Sequence, residues 1–593
     1  MKFVKIFLAA LAAFVVGSFV CFFLWILVLV GMAGSMGGGS MEPVTNNTIL
    51  KIDFSEVITD SPSVNPFASI DFMTMQATPQ LSFYSALRAI DAAANDDRIK
   101  GIYLRPNGMG GLSSTAQVEE LRATLQQFKE SGKFIIAYNE TYSQGLYYLV
   151  SVADQIYMQP EGSFEWTGLA SQIMFYKGLL DKLGVEMEIF RPTVCKYKSA
   201  VEPYFLKKMS PENRAQMQSL VNSMWNTVTS AVAESRGVSV EELNALADNL
   251  SIILPQDALE AKLIDSLKYE DEMETVFEEL GVKKGLNGEL NYVSLGGYAA
   301  QVGADNKKHS TPELAIVYAE GQIVDGEGTD GKIYGNTLAA KIREVRLDEG
   351  VKAVVVRVNS PGGSALASDL IWREMELLKA EKPVIISMGG YAASGGYYIS
   401  APADAIVADK TTLTGSIGVF GMIPNVGKAM EQKLGITVDG VKTNSSAGIN
   451  TFVPMTSAEK RALMRSVDRV YERFTGLVAE GRNLPIDEVL EIAGGRVWSG
   501  EEALNIGLVD MNGGLKEAIA VAVDKAALGE DYRIVERTET PTGLAAYLSA
   551  FSAQLKSSWE ASELGVAMKE YRHLQEAMSQ SGVVMYSPYK VNF

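Results

Sequence analysis

One module runs twice through these 593 residues, and the two copies differ at just the positions where polar chemistry would be sought. Lys100 matches Lys352 and Asn107 matches Asn359 at an offset of 252, while Tyr147-Tyr148 overlays Tyr397-Tyr398 at an offset of 250. The copies also end alike, with Ala258-Leu259-Glu260-Ala261-Lys262-Leu263-Ile264-Asp265 against Ala503-Leu504-Asn505-Ile506-Gly507-Leu508-Val509-Asp510. Within this frame Gln144 of the first copy stands opposite Ser394 of the second. Further on, Val194-Cys195-Lys196-Tyr197-Lys198-Ser199-Ala200 runs against Val441-Lys442-Thr443-Asn444-Ser445-Ser446-Ala447, which sets Ser445 opposite Lys198. Each copy keeps the half that the other lacks, so a serine and a lysine from different repeats are expected to form one composite site.

The chain is too long for one hydrophobic core, so two or more domains are expected. A formal charge of −18 repels nucleic acid and argues against a surface that tracks phosphates. Of the two cysteines, Cys21 lies in an apolar N-terminal run and Cys195 in the first repeat, so a disulfide between them is implausible. Without CxxC or Cys/His spacings, neither a metal nor a cofactor is expected.

Residues Ile6 to Ala33 form an almost unbroken apolar run of 28. Roughly 20 apolar residues span a bilayer as a helix, whereas the cores of signal peptides are nearer 7–15. An uncleaved transmembrane anchor is therefore expected over a removed signal peptide, although Ala33-Gly34-Ser35-Met36-Gly37 could be read as a cleavage region. Lys2 and Lys5 precede the run and no basic residue follows before Lys51, which leaves the N-terminus cytoplasmic and the rest of the chain outside.

Residues 1–47 thus read as cytoplasmic N-terminus, anchor and Gly-rich tether, 48–300 as the first repeat, 312–544 as the second, and 545–593 as a helical tail. Helices are expected over Phe83 to Asn95, Val118 to Lys129, Leu338 to Arg346 and Ala365 to Lys379. Strands are expected over Lys100 to Leu104, Lys133 to Tyr138, Glu313 to Tyr318, Lys352 to Val358 and Pro383 to Ser387. The continuous apolar character of Lys352 to Val358 suits a parallel sheet covered on both faces, and the strand–helix alternation implies α/β layers. Ala545 to Gln580 reads as helical, and Val583 to Phe593 as a Tyr/Pro-containing tail with no assigned role.

A serine hydroxyl is a weak nucleophile until a neighbouring base takes its proton. The chain has only two histidines, His309 in the joint between repeats and His573 in the tail, and neither sits in a motif. That leaves lysine, which can act as a base only if desolvation lowers its pKa. Tyr197, Ala200 and Val201 around Lys198 make burial plausible. Ser394 could equally be a helix N-cap, and Asn359-Ser360-Pro361-Gly362-Gly363-Ser364 could be a tight turn. The two readings of each are compatible, because a strand-to-helix turn exposes a hydroxyl and paired glycines can turn N–H groups inward as an oxyanion hole.

Taken together, Tyr197-Lys198-Ser199-Ala200-Val201-Glu202-Pro203, Asn359-Ser360-Pro361-Gly362-Gly363, Met388-Gly389-Gly390-Tyr391-Ala392-Ala393-Ser394-Gly395-Gly396-Tyr397-Tyr398 and Thr414-Gly415-Ser416-Ile417-Gly418 resemble the long, tandem-domain form of bacterial signal peptide peptidase A, or protease IV. The resemblance runs from the anchor to about Asp510. It implies tandem domains of the Clp-protease and crotonase superfamily with mostly parallel sheets. It also implies Ser394 as nucleophile, Lys198 as general base, Ser416 assisting the lysine, and Gly362 and Gly363 at the oxyanion hole. The expected activity is serine endopeptidase digestion of cleaved signal peptides and other apolar peptides. By the same resemblance the protein is a membrane-tethered homotetramer on the outer face of the bacterial cytoplasmic membrane. A crotonase-type acyl-CoA enzyme and a catalytically dead membrane scaffold are the alternatives, and neither accounts for complementary halves.

Overall fold

The computed structural model describes residues 44–62, 79–285, 287–302, 311–328, 331–538 and 583–586, with a few isolated positions besides. The apolar run from Ile6 to Ala33 and the expected helix from Ala545 to Gln580 lie almost wholly outside the described residues. Among the described residues no helix is long and apolar enough to cross a membrane.

Each repeat is built on a largely parallel sheet. The first has the strand order Ser266–Leu267, Gln155–Phe164, Phe134–Tyr142, Ile99–Leu104, Thr48–Ile52, Asn291–Ser294, every pair parallel. The second has Val497–Ser499, Leu413–Gly415, Val384–Ala393, Val351–Ser360, Glu313–Glu320 and Arg533–Arg537 in line, with Ala405–Ala408 and Met511–Asn512 branching from Val384–Ala393. Only Val497–Ser499 runs antiparallel to its neighbour there.

The reason is visible along the strands. In the second repeat, alternate residues face opposite ways: Ala315, Val317, Val354, Val356 and Ile386 join one buried cluster, and Leu314, Ile316, Ala353, Val355 and Ile385 another. Helices Gly335–Leu347 and Ala365–Lys379 cover the first face, and helix Leu515–Lys525 covers the second. A strand apolar on both faces can be stable only when both are covered. Serine caps set where the helices begin: Ser82, Ser114 and Ser364 accept from the amides of Ser85, Gln117 and Ala367.

Helices Phe83–Asn95 and Ala365–Lys379 have the expected bounds, and the expected strands are all present but longer. Val384–Ala393 runs through Gly389-Gly390 to end one residue before Ser394. Gly362–Ser364, which could have been a plain turn, is a short strand, and so is Val583–Tyr586 in the tail.

A third sheet crosses between the repeats in the order Ile333–Tyr334, Ile323–Val324, Gly362–Ser364, Val583–Tyr586, Phe420–Asn425, Glu186–Phe190. Glu186–Phe190 belongs to the first repeat and pairs antiparallel with Phe420–Asn425 of the second, from Gly421 opposite Phe190 to Asn425 opposite Glu186. Deeper in the interface, the fully buried Arg357 guanidinium meets Asp60 Oδ1 at 3.1 Å and Glu120 Oε1 at 2.6 Å, both from the first repeat, and donates to Ser387 Oγ at 2.9 Å. A buried guanidinium is tolerable only with such partners, so this cluster holds the repeats in register.

Candidate active site

Lys198 lies eight residues beyond the strand Glu186–Phe190, and the pairing of that strand with Phe420–Asn425 carries the lysine into the second repeat. There its Nζ lies 2.7 Å from Ser394 Oγ, and donates to the Ser416 carbonyl oxygen and Oγ, each at 2.9 Å. All three residues are buried: Lys198 is 1% exposed, Ser394 0% and Ser416 1%. No carboxylate is among these contacts. Desolvation by burial therefore dominates and lowers the lysine pKa to about 7, opposed only by the nearby Cys195, which pushes it up.

Ser394 stands between the end of strand Val384–Ala393 and the start of helix Gly395–Ser400, at φ 57° and ψ −113°. A serine in that region is strained, and the strand-to-helix turn leaves its hydroxyl free of local partners. It occupies the N-cap position, but its side chain makes no cap hydrogen bond. The first repeat differs. There Ser143 caps helix Gln144–Val150 by accepting from the Leu146 amide, while buried Gln144 accepts from the amides of Thr167 and Gly168 and donates to the Gly168 carbonyl. The glutamine closes the pocket with local hydrogen bonds and leaves nothing for a lysine to activate. Ser445, the counterpart of Lys198 in the second repeat, sits on an exposed loop, far less enclosed than Lys198.

Ser416 is also held at positive φ, 52°, with its amide donating to the Arg496 carbonyl at 2.7 Å. Gly495 was not singled out by the sequence. Its φ is +81°, and a Cβ there would fall 2.6 Å from Lys198 Cβ, so only glycine lets the lysine backbone approach. Gln216 was missed as well: it donates to the Tyr197 carbonyl and Ser199 Oγ and accepts from the Val497 amide, tying the lysine segment to the second repeat. The buried Glu202 carboxylate accepts from Ser210 and Asn213, fixing the turn that follows the lysine.

Gly362 and Gly363 lie beside the serine. A Cβ on Gly362 would fall 2.6 Å from the Gly395 amide nitrogen, and one on Gly395 would fall 3.1 Å from the Gly363 nitrogen. The Gly362 N–H donates to Ser360 Oγ at 3.1 Å, so Gly362 contributes space, and the backbone nitrogens of Gly363 and Gly395 lie close by. Among the described residues no group of His, Cys, Asp and Glu could hold a metal ion.

Two stretches of the chain, residues 127–283 and 376–529, match peptidase family S49. "Protease 4" of Salmonella typhi is 36% identical over 552 residues, covering 90% of this chain and 87% of that protein. "Protease 4" of Haemophilus influenzae is 36% identical over 517 residues, 84% of this chain and 83% of the relative. The "Serine protease SPPA, chloroplastic" of Arabidopsis thaliana is 34% identical over 474 residues, 78% of this chain and 69% of the relative. The paired match falls on the two repeats found from the sequence.

Proposed function

The chain belongs to peptidase family S49 and is a serine peptidase, and we propose that it is a membrane-anchored endopeptidase whose Ser394 and Lys198, one from each repeat, digest apolar peptides. The 2.7 Å approach of Lys198 Nζ to Ser394 Oγ in a buried site carries this reading. A neutral amine has two N–H donors and one lone pair. Its three neighbours fit that count: the Ser416 carbonyl and Oγ accept, and the lone pair takes the Ser394 hydroxyl proton.

With the lysine pKa near 7, a large fraction of the base is neutral at physiological pH and poised to accept that proton. Ser416 orients the amine. As Ser394 Oγ adds to a peptide carbonyl, the amides of Gly363 and Gly395 receive the negative charge on its oxygen, with Gly362 leaving room for it. Protonated Lys198 then gives its proton to the leaving amine, and water releases the acyl group by the same relay.

The substrates proposed are signal peptides left after secretion and other apolar, extended segments, met at the outer face of the bacterial cytoplasmic membrane. Residues 6–33 supply the anchor in this reading. A homotetramer is proposed too, supported by the internal symmetry. Leu183-Gly184-Val185 matches Leu434-Gly435-Ile436 at an offset of 251. In the first repeat the residues that follow pair with the second repeat; in the second, among the described residues, they pair with no strand and leave Leu434, Val438, Val441 and Ile449 exposed. That surface suits the first repeat of another copy, closing a ring.

The test is hydrolysis of a fluorogenic apolar peptide by wild type, Ser394→Ala and Lys198→Met. Both variants are expected to fold and to be inactive; near-normal turnover by either would remove the assignment.

A further inference from the structure

Arg496 touches both halves of the composite site. Its carbonyl oxygen accepts from the Ser416 amide at 2.7 Å, extending the antiparallel pairing of Val497–Ser499 with Leu413–Gly415. Its guanidinium carbon lies 3.9 Å from the ring centre of Trp498 and 5.8 Å from that of Tyr197, the residue before Lys198. Its Nη2 donates to Ser219 Oγ, on helix Pro211–Arg236 of the first repeat, at 3.2 Å and to Glu502 Oε1 at 3.5 Å. The backbone is fitted to the same contacts. The Gly494 carbonyl accepts from the Tyr197 amide at 2.9 Å, and a Cβ on Gly415 would fall 2.7 Å from Trp498 Cδ1.

The ion pair of Arg496 with Glu502 is partly exposed, and such pairs add little to stability. Tyr197, Arg496 and Trp498 are each partly exposed, while the adjoining Lys198, Gly495 and Ser416 are buried. The boundary between solvent and the buried lysine therefore runs through these three side chains. The duplication points the same way. At the offset that aligns Ala258 with Ala503, Asp257 matches Glu502, and each accepts from the amide three residues before it. Arg496 and Trp498 then match Ser251 and Ile253, and Tyr197 matches Asn444. The arginine and both rings are thus present only around the Ser394 and Lys198 pair; the counterpart positions carry none of them.

Resting on the function proposed above, we propose that Arg496 is a positioning residue: held against Trp498 and Tyr197, it shuts water away from Lys198 and keeps the amine on Ser394 and Ser416. A guanidinium suits this task, being planar and more weakly hydrated than an ammonium, so that it stacks on rings. Lys198 is held neutral by its loss of water, so opening the stack rehydrates the ammonium and moves the proton-accepting form to higher pH. The titratable group that acts on the lysine is Cys195. Arg191, which donates to the Lys198 carbonyl at 3.0 Å, faces that thiol, as do Asp468 and Tyr471 of helix Ser457–Arg482. The variants below leave all of these in place.

The acidic limb of the kcat/KM profile for a fluorogenic apolar peptide, measured on the full-length protein in detergent, tests this. Arg496→Met is expected to move the limb up by about one pH unit. That is an about tenfold loss at pH 6 that disappears above the shifted limb, carried by kcat with KM little changed. Trp498→Ala keeps the positive charge but removes the ring, and is expected to move the limb likewise. Trp498→Phe keeps an aromatic face and is expected to leave the limb where wild type has it. The two Trp498 variants decide by themselves if Arg496→Met does not fold. A loss of the same size at every pH would mean a merely structural role and overturn the proposal. A limb that moves in Arg496→Met but not in Trp498→Ala would assign the effect to the charge alone, and would overturn it too. If the wild-type limb depends on Lys198 but stays in place in both Arg496→Met and Trp498→Ala, the positioning role is wrong and the peptidase reading stands. If Lys198→Met remains active, the lysine base itself is wrong.

Discussion

Lys198 Nζ and Ser394 Oγ are 2.7 Å apart across 196 residues of chain, on opposite sides of the boundary between the repeats. Neither repeat can supply both groups. The contact depends on the antiparallel pairing of Glu186–Phe190 with Phe420–Asn425 and on the backbone approach that Gly495 permits.

The two side chains are expected to behave as one unit. Ser394→Ala and Lys198→Met should each lower kcat for an apolar peptide by about 10³-fold or more, and the double variant should be no worse than either single one. Steady-state kinetics on all three checks this; additive losses would mean that the residues act separately.

Activity should rise with pH through about 7, because only the neutral lysine accepts the serine proton. The acidic limb of the kcat/KM profile should report that group, and it should stay in place in variants of His309 and His573. A limb that vanished with either histidine would identify a different base.

Stability should respond to the same lysine in a defined direction. Its pKa falls from 10.5 in the unfolded chain to about 7 in the folded one, so the unfolded state binds the extra proton. The folded state is therefore penalised in full below about pH 7, and the penalty fades as pH rises towards 10.5. Lys198→Met should raise Tm at pH 6 and much less at pH 10, the stabilisation reaching at most about 5 kcal/mol at low pH. Paired thermal melts at the two pH values check it.

Much of this was legible in the sequence, and the misses have physical causes. Phe83–Asn95 and Ala365–Lys379 carry strong local signals, an apolar stripe and a serine cap, and both came out with their expected bounds. The Ser394 and Lys198 pairing could be read because duplication left Gln144 and Ser445 as internal controls. Gly495 could not be read that way, since what demands a glycine there is the backbone of Lys198, remote in sequence. Arg357 did leave a signal: a guanidinium inside the apolar run Val354 to Val358 must find acidic partners, and only their identity, Asp60 and Glu120, needed the fold. Val583–Tyr586 was too short to declare itself a strand, because its partners, Gly362–Ser364 and Phe420–Asn425, are remote in sequence.

The Arg357 cluster should be fragile to one-sided removal. Arg357→Met leaves Asp60 and Glu120 buried without their counter-charge and should cost about 3–5 kcal/mol, measured by denaturant unfolding.

Gly495→Ala should damage catalysis more than binding. The new Cβ would meet Lys198 at a backbone angle that already disfavours it, at a cost of about 1–3 kcal/mol, and would displace the amine from Ser394. A fall in kcat with KM little changed is expected from the peptide kinetics, and unchanged kcat would show that the lysine is not held by this contact.

The composite site itself is tested most directly by labelling with a fluorophosphonate and mapping the modified residue by peptide mass spectrometry. Wild type should be labelled at Ser394, and labelling should be lost in Lys198→Met although that variant keeps Ser394 and remains folded. Label on another residue, or undiminished labelling of Ser394 in Lys198→Met, would contradict a serine activated by the lysine of the other repeat.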